Sequence, residues 1–396
     1  LNKDAPAGLI KGVESMRKMH ALLLSSLLVV SACTPVFDNR EEVIQETKDE
    51  KNNQSAIIPN YNMSEKDYRM ILTESSPKVS TARAVTTNQM GNRMDIDEFE
   101  SGLRRHSKEY FDPDKYFFQP GQYFEGDTLL QWLGRESSGN EDGLNPELNE
   151  DEATEEEFRE SPRYISNIIE QNYLVRQDEN KVELSGVTIG ISLRTVYNFT
   201  AEGQSLSVDH STEELLQKGK EYAGEILKRI REREELNNVP VVFALYEEEE
   251  ASSKVPGKFL SKTYVKGSDL TINGWDNIDE KHVLFPSNEG EEDHFDDSQI
   301  FTDFRKEVSD YFPNFVGMIA NGFYVNNELR EVSIEIPIQF QSESEVVGFT
   351  QYVYSLVNEM FADHYNVQVN IHSMDEPESL IVKKAGEQEP FVHVYE

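Results

Sequence analysis

The sequence has little cysteine and few cations. A single cysteine, Cys33, among 396 residues excludes a disulfide framework and any site built from paired cysteines. Only 38 Lys and Arg stand against 74 Asp and Glu, a formal charge of −36. A chain so short of cations cannot neutralise phosphates, so nucleic acid is excluded as a partner. Gly-rich phosphate loops, His-Glu-x-x-His pairs and nucleophile elbows are also missing. No catalytic, cofactor-binding or metal-binding residue is assigned, and the chain is read as a non-enzyme. What is present, 37% hydrophobic residues including 10% aromatic, is enough for a real core.

The uncharged run Ala21 to Val30 is about half the roughly 20 residues that span a membrane, but it has the length of a signal-peptide core. It follows the basic start Met16-Arg17-Lys18-Met19-His20 and ends in Val30-Ser31-Ala32-Cys33. That order resembles the lipobox of bacterial lipoproteins. Small residues admit the cleavage site to a peptidase, and the Cys33 thiol is the nucleophilic group that a diacylglycerol donor alkylates. Two acyl chains anchor stably where one would not. Cys33 is therefore the expected lipidation site and Val30, Ser31 and Ala32 the cleavage motif. The expected partners are signal peptidase and the lipid bilayer, and the expected location is the extracytoplasmic face of the cell membrane. The polar lead before Met16 means either a start at Met16 or a long leader.

The expected organisation is a leader at 1–32, a flexible tether at 33–60, a mainly helical and aromatic segment at 61–136 and a mobile acidic loop at 137–160. Helical spacing covers 97–110 and 127–133. The aromatic cluster from Tyr110 to Tyr123 reads as packing under a loop, with a sugar-binding platform as the alternative.

The rest reads as one β–β–α–β–β unit written twice, at 161–270 and 316–396, around a connector at 271–315. Val187, Ile189, Ile191 and Leu193 alternate as on a strand. The first helix is expected from Ser211, its N-cap, to Leu236, and the second from Ser344 to Tyr365. The fold class is thus α+β, with the two units packed about a pseudo-twofold axis. In the connector, Glu291-Glu292-Asp293-His294-Phe295-Asp296-Asp297 is the densest polar group and reads as an exposed linker rather than a cation site. Trp275 and Asp363-His364 read as structural.

Several stretches together resemble one family. The lipobox, Asp95 to Leu103, Ser107 to Phe111, Pro113 to Tyr116, Trp132 to Arg135, Gly143 to Pro146 and Val239 to Tyr246 are similar to the CamS family of Firmicute lipoproteins. The resemblance implies a sex pheromone precursor, in which a peptide from the end of the leader is released as a conjugation signal. By position that peptide lies within Ser26-Leu27-Leu28-Val29-Val30-Ser31-Ala32. It supplies no catalytic residue. A ligand site at the junction of the repeats, or in the aromatic segment, is the other reading of the mature part.

Overall fold

The computed structural model of the chain describes residues 40–47, 53–59, 67–73, 89–312, 315–339, 342–373 and 376–395. Its first strands lie where a tether is expected. β1 (Arg40–Glu46) and β2 (Gln54–Pro59) pair antiparallel, and the short β3 (Arg69–Met70) and β4 (Leu72–Thr73) join the same sheet. The tether expectation is corrected for residues 40–47 and 53–59. The apolar residues their alternation buries are Val43, Ala56 and Ile58 alone, too few to stand out among charged neighbours. Two of those charges find distant partners. Arg176 grips Glu41 at 2.5 and 2.7 Å, and Lys181 pairs with Glu46.

Helix α1 (Arg93–Ser107) is capped by the Asn92 side chain and carries Asp95 in its first turn and Arg104, Arg105 and His106 in its last. This charge order suits the helix dipole. β5 (Tyr116–Pro120) and α2 (Gly126–Leu133) follow. The segment 61–136 is therefore not a separate helical region, because β5 pairs with β6 (Ile165–Asp178) inside the main sheet.

The acidic stretch 137–160 is folded, which corrects the mobile loop. Arg135 donates to Glu150 at 2.7 Å, to the carbonyls of Pro146 and Ser161 at 2.8 Å, and to the Tyr197 hydroxyl at 3.1 Å. Asn145, 1% exposed, accepts from the Tyr164 N–H and donates to the Leu133 carbonyl. Two polar side chains organise the loop, and composition does not register them. Its last turn is α3 (Glu155–Glu160), with a Thr154–Glu157 capping box.

β6 turns into β7 (Lys181–Arg194), and the hairpin β8 (Val196–Ala201) and β9 (Gln204–Asp209) leads to α4 (Thr212–Glu232). Ser211 caps α4 as its sequence position predicts. β10 (Val241–Glu248) returns parallel to β7, β11 (Lys258–Val265) runs antiparallel to β10, and β12 (Asp276–Asn277) ends that edge. All eight residues of β10 are buried. Phe243 and Leu245 meet α4, whereas Ala244 and Tyr246 meet Phe99 and Leu103 of α1. The sheet is thus covered by a helix on each face.

Close approach on the α1 side depends on two glycines. A Cβ at Gly190 would lie 2.7 Å from the Phe99 ring, and one at Gly186 would lie 2.2 Å from the Phe111 ring. Phe111 is 1% exposed and stacked on Tyr173, so it has no room to yield. Gly186→Ala is expected to cost about 1–3 kcal/mol by overpacking, read as a lower urea midpoint; an unchanged midpoint would contradict this packing.

The connector 271–315 is not a linker either. It holds β13 (Glu280–Phe285), α5 (Asn288–Asp293) and α6 (Phe295–Tyr311). β13 begins a second, six-stranded sheet, continued by β14 (Ile319–Val325), β15 (Glu328–Pro337), β16 (Asn366–His372), β17 (Pro377–Lys383) and β18 (Phe391–Val394). α7 (Glu343–Met360) crosses between the parallel neighbours β15 and β16, as α4 crosses between β7 and β10. α6 and α7 cover this sheet through Phe301, Phe304, Phe349 and Val353. The chain is a mixed α/β protein with several sheets and seven helices among the described residues.

Candidate functional site

Cys33, the cleavage motif Val30, Ser31 and Ala32, and the peptide stretch 26–32 lie outside the described residues. Among the described residues no helix is long and apolar enough to cross a membrane, and no three His, Cys, Asp or Glu are grouped to hold a metal ion.

The aromatic segment is not an open platform. Phe111, Phe117 and Phe118 are core residues, and Tyr110 stacks on Tyr264 at 5.2 Å. Trp275 packs, half-buried, against the first core. Asp363 accepts an ion pair from the buried Lys383 at 2.6 Å. The acidic connector group lies on α5 and α6 rather than in a linker, and most of its carboxylates are exposed as expected, but its histidine is not. His294 is 7% exposed with its ring 4.0 Å from that of Tyr324, whose hydroxyl donates to Asp297 at 2.7 Å. Burial, the largest influence, pushes the His294 pKa down.

Where the two sheets meet, a cluster of charged side chains links them. α1 brings Glu98, Arg105 and His106, and β13 brings Glu280 and His282. Arg105 bridges Glu98 at 2.7 Å and Glu280 at 3.2 Å, and His106 lies 3.1 Å from Glu280. Glu280 also accepts from the Phe259 N–H of β11 at 3.0 Å. Burial would raise the Glu280 carboxyl, but hydrogen bonds and charge from His106 and Arg105 outweigh it and hold the group down at about 2. The same balance, with His282 and Arg105 as partners, lowers Glu98.

An open cleft lies at another place in the first sheet. β7 and β10 are parallel, so their carboxyl ends share one edge of the sheet, the edge at which parallel sheets commonly bind ligands. A cleft of about 510 Å³ opens there, between those strand ends, the β8–β9 hairpin and residues 89–91. Its floor is Glu248, 7% exposed, whose Oε1 accepts from the Ser192 hydroxyl at 2.7 Å and from Ser166. Burial pushes the Glu248 pKa up, against the opposing charge of Arg194 and the two serines. Arg194 donates to the Gln89 carbonyl at 3.3 Å, while its buried Nε has no partner. Asp209, Glu249 and Glu250 also line the cleft. Sequence reasoning ends this strand at Tyr246 and so misses Glu248. The available signal is the acidic run that directly continues an apolar strand at the carboxyl edge of a parallel pair.

The family model described as CamS sex pheromone cAM373 precursor matches residues 78–389. A crystal structure of a sex pheromone precursor from Lactobacillus salivarius is similar at a TM-score of 0.79 and 32% identity, over 86% of this chain and 98% of that one. The C-terminal domain of the sex pheromone staph-cAM373 precursor from Staphylococcus aureus is similar at a TM-score of 0.67 and 29% identity, over 78% of this chain and 98% of that one. No match was found among curated proteins.

Proposed function

Since this chain belongs to the CamS sex pheromone precursor family, we propose that it is a non-enzymatic lipoprotein held on the extracytoplasmic face of the cell membrane by diacylglyceryl-Cys33. Signal peptidase cuts after Ala32, and the residues just before the cut, Ser26 to Ala32, supply the conjugation peptide. The observation that carries this reading is the order of basic start, ten uncharged residues, lipobox and lone cysteine. The two β–β–α–β–β units are read as copies of one element packed about a pseudo-twofold axis, supported by the matching pairing order of β6-β7-β10-β11 and β14-β15-β16-β17.

Cys33→Ala is expected to move the protein from the membrane fraction to the soluble fraction, and retention with lipid would sink the anchor. Synthetic peptide 26–32, added to responsive donor cells, is expected to induce clumping or transfer; no response would remove the signalling half of the proposal.

A second reading concerns the folded part, as a ligand-binding module. The specific observation in its favour is the cleft over Glu248, whose volume falls in the range of small-molecule sites.

A further inference from the structure

We propose that the cleft over Glu248 takes a free basic amino acid, with its ammonium groups on Glu248 and Asp209 and its carboxylate on Arg194. This rests on the ligand-binding reading and names the ligand class. Three features lead to it.

The cleft is small and polar, so an apolar ligand would leave Glu248 and Arg194 desolvated without compensation. Its charge is mixed but unequal, since Asp209, Glu248, Glu249 and Glu250 face a single guanidinium, that of Arg194. An anion is therefore excluded by repulsion, and a simple diamine would bring no acceptor for the unpartnered Nε–H of Arg194. Arg194 has an N–H that is buried and unpartnered, and such a group is costly unless something accepts from it. A carboxylate is the natural acceptor for a guanidinium. A metal ion does not fit, because among the described residues no three ligating side chains are grouped to hold one. A zwitterion carrying a second positive charge answers both signs at once.

The state of Glu248 supplies an independent readout. Burial raises its pKa, so part of the population is protonated as the pH falls toward the carboxylate range, and an arriving ammonium favours the ionised form. Binding should then release protons, and the measured heat should depend on the ionisation enthalpy of the buffer.

The test is isothermal titration of the folded chain with L-lysine, L-arginine, cadaverine and L-glutamate. L-Lysine or L-arginine is expected to bind at least about tenfold more tightly than cadaverine, with L-glutamate silent. Arg194→Gln should erase the preference over cadaverine. Asp209→Asn, at an exposed position that leaves the fold intact, should weaken the basic amino acids about tenfold. Binding that neither substitution changes, or cadaverine matching lysine in the unaltered protein, overturns the ligand class. If instead a different small molecule from a wider panel binds and both substitutions weaken it, the class fails while the ligand-binding reading stands. If nothing in either panel binds, both fail.

Discussion

Glu170→Ala is expected to lower the stability of the protein by about 3–5 kcal/mol. Glu170 lies in the middle of β6, 8% exposed. Its two oxygens accept from three consecutive backbone N–H groups, those of Gln122 at 3.0 Å, Tyr123 at 3.1 Å and Phe124 at 2.8 Å. Truncation removes every one of these acceptors at once. Each donor left unsatisfied in the interior costs about 1–3 kcal/mol, and the outer two recover part of that from water. The damage would not stay local. The turn that Glu170 holds directs the chain into α2, and Phe124 packs on Trp132 at 5.1 Å within the first core. Glu170→Gln keeps one acceptor oxygen but turns an N–H₂ toward the other donors, so a loss smaller than that of alanine is expected. Urea unfolding of the two variants beside the parent protein measures this. An alanine variant within about 1 kcal/mol of the parent would mean that water takes the place of the carboxylate.

The legible part of this fold is what local pattern controls. Leu215, Tyr222, Ile226 and Ile230 repeat at helical spacing on α4, and Ser211 stands where a cap belongs. The strands β7, β10, β15 and β16 announce themselves by branched apolar residues. The errors share one cause. β1 and β2, the loop 137–160 and the connector all look solvated because their charges are many, yet each is held by a polar side chain whose partner is distant in sequence. Glu41 with Arg176, Glu150 with Arg135 and Glu280 with Arg105 are separated by 135, 15 and 175 residues. No local window contains both members of the first and last of these pairs, and the middle pair, though nearer, leaves no periodic pattern. The cleft was illegible for the same reason: Ser166, Ser192 and Glu248 come from three strands and only the sheet brings them together. The reverse holds for the anchor proposed at Cys33, which rests entirely on the residues beside it.

Glu280 predicts how the junction between the sheets responds to acid. Its side chain is 1% exposed and touches α1 through Arg105 and His106 and β11 through the Phe259 N–H. The ordinary value of the carboxyl is 4.5, and in the folded protein it is held at about 2. The folded value lies below the unfolded one, so the ionised form is the stabilising one. Its contribution is complete above about pH 4.5 and is lost progressively as the pH falls toward about 2. A shift of this size corresponds to about 3 kcal/mol. Other buried carboxyls push the opposite way, since burial raises the pKa of Asp95, Glu170 and Glu248. The acid sensitivity of the unaltered protein is therefore a sum of opposed terms and does not isolate the junction. The difference between the protein and its Glu280→Gln variant does, because the opposed groups are common to both and cancel. Glutamine keeps an oxygen for Arg105 and the Phe259 N–H but loses the charge. The expected result is a variant less stable by about 2–3 kcal/mol at pH 7, with the gap closing between pH 4.5 and 2. Urea unfolding at pH 7, 4.5 and 3 measures it. A gap that stays constant across that range would show that Glu280 acts through shape and hydrogen bonding alone, and that charge does not hold the two sheets together.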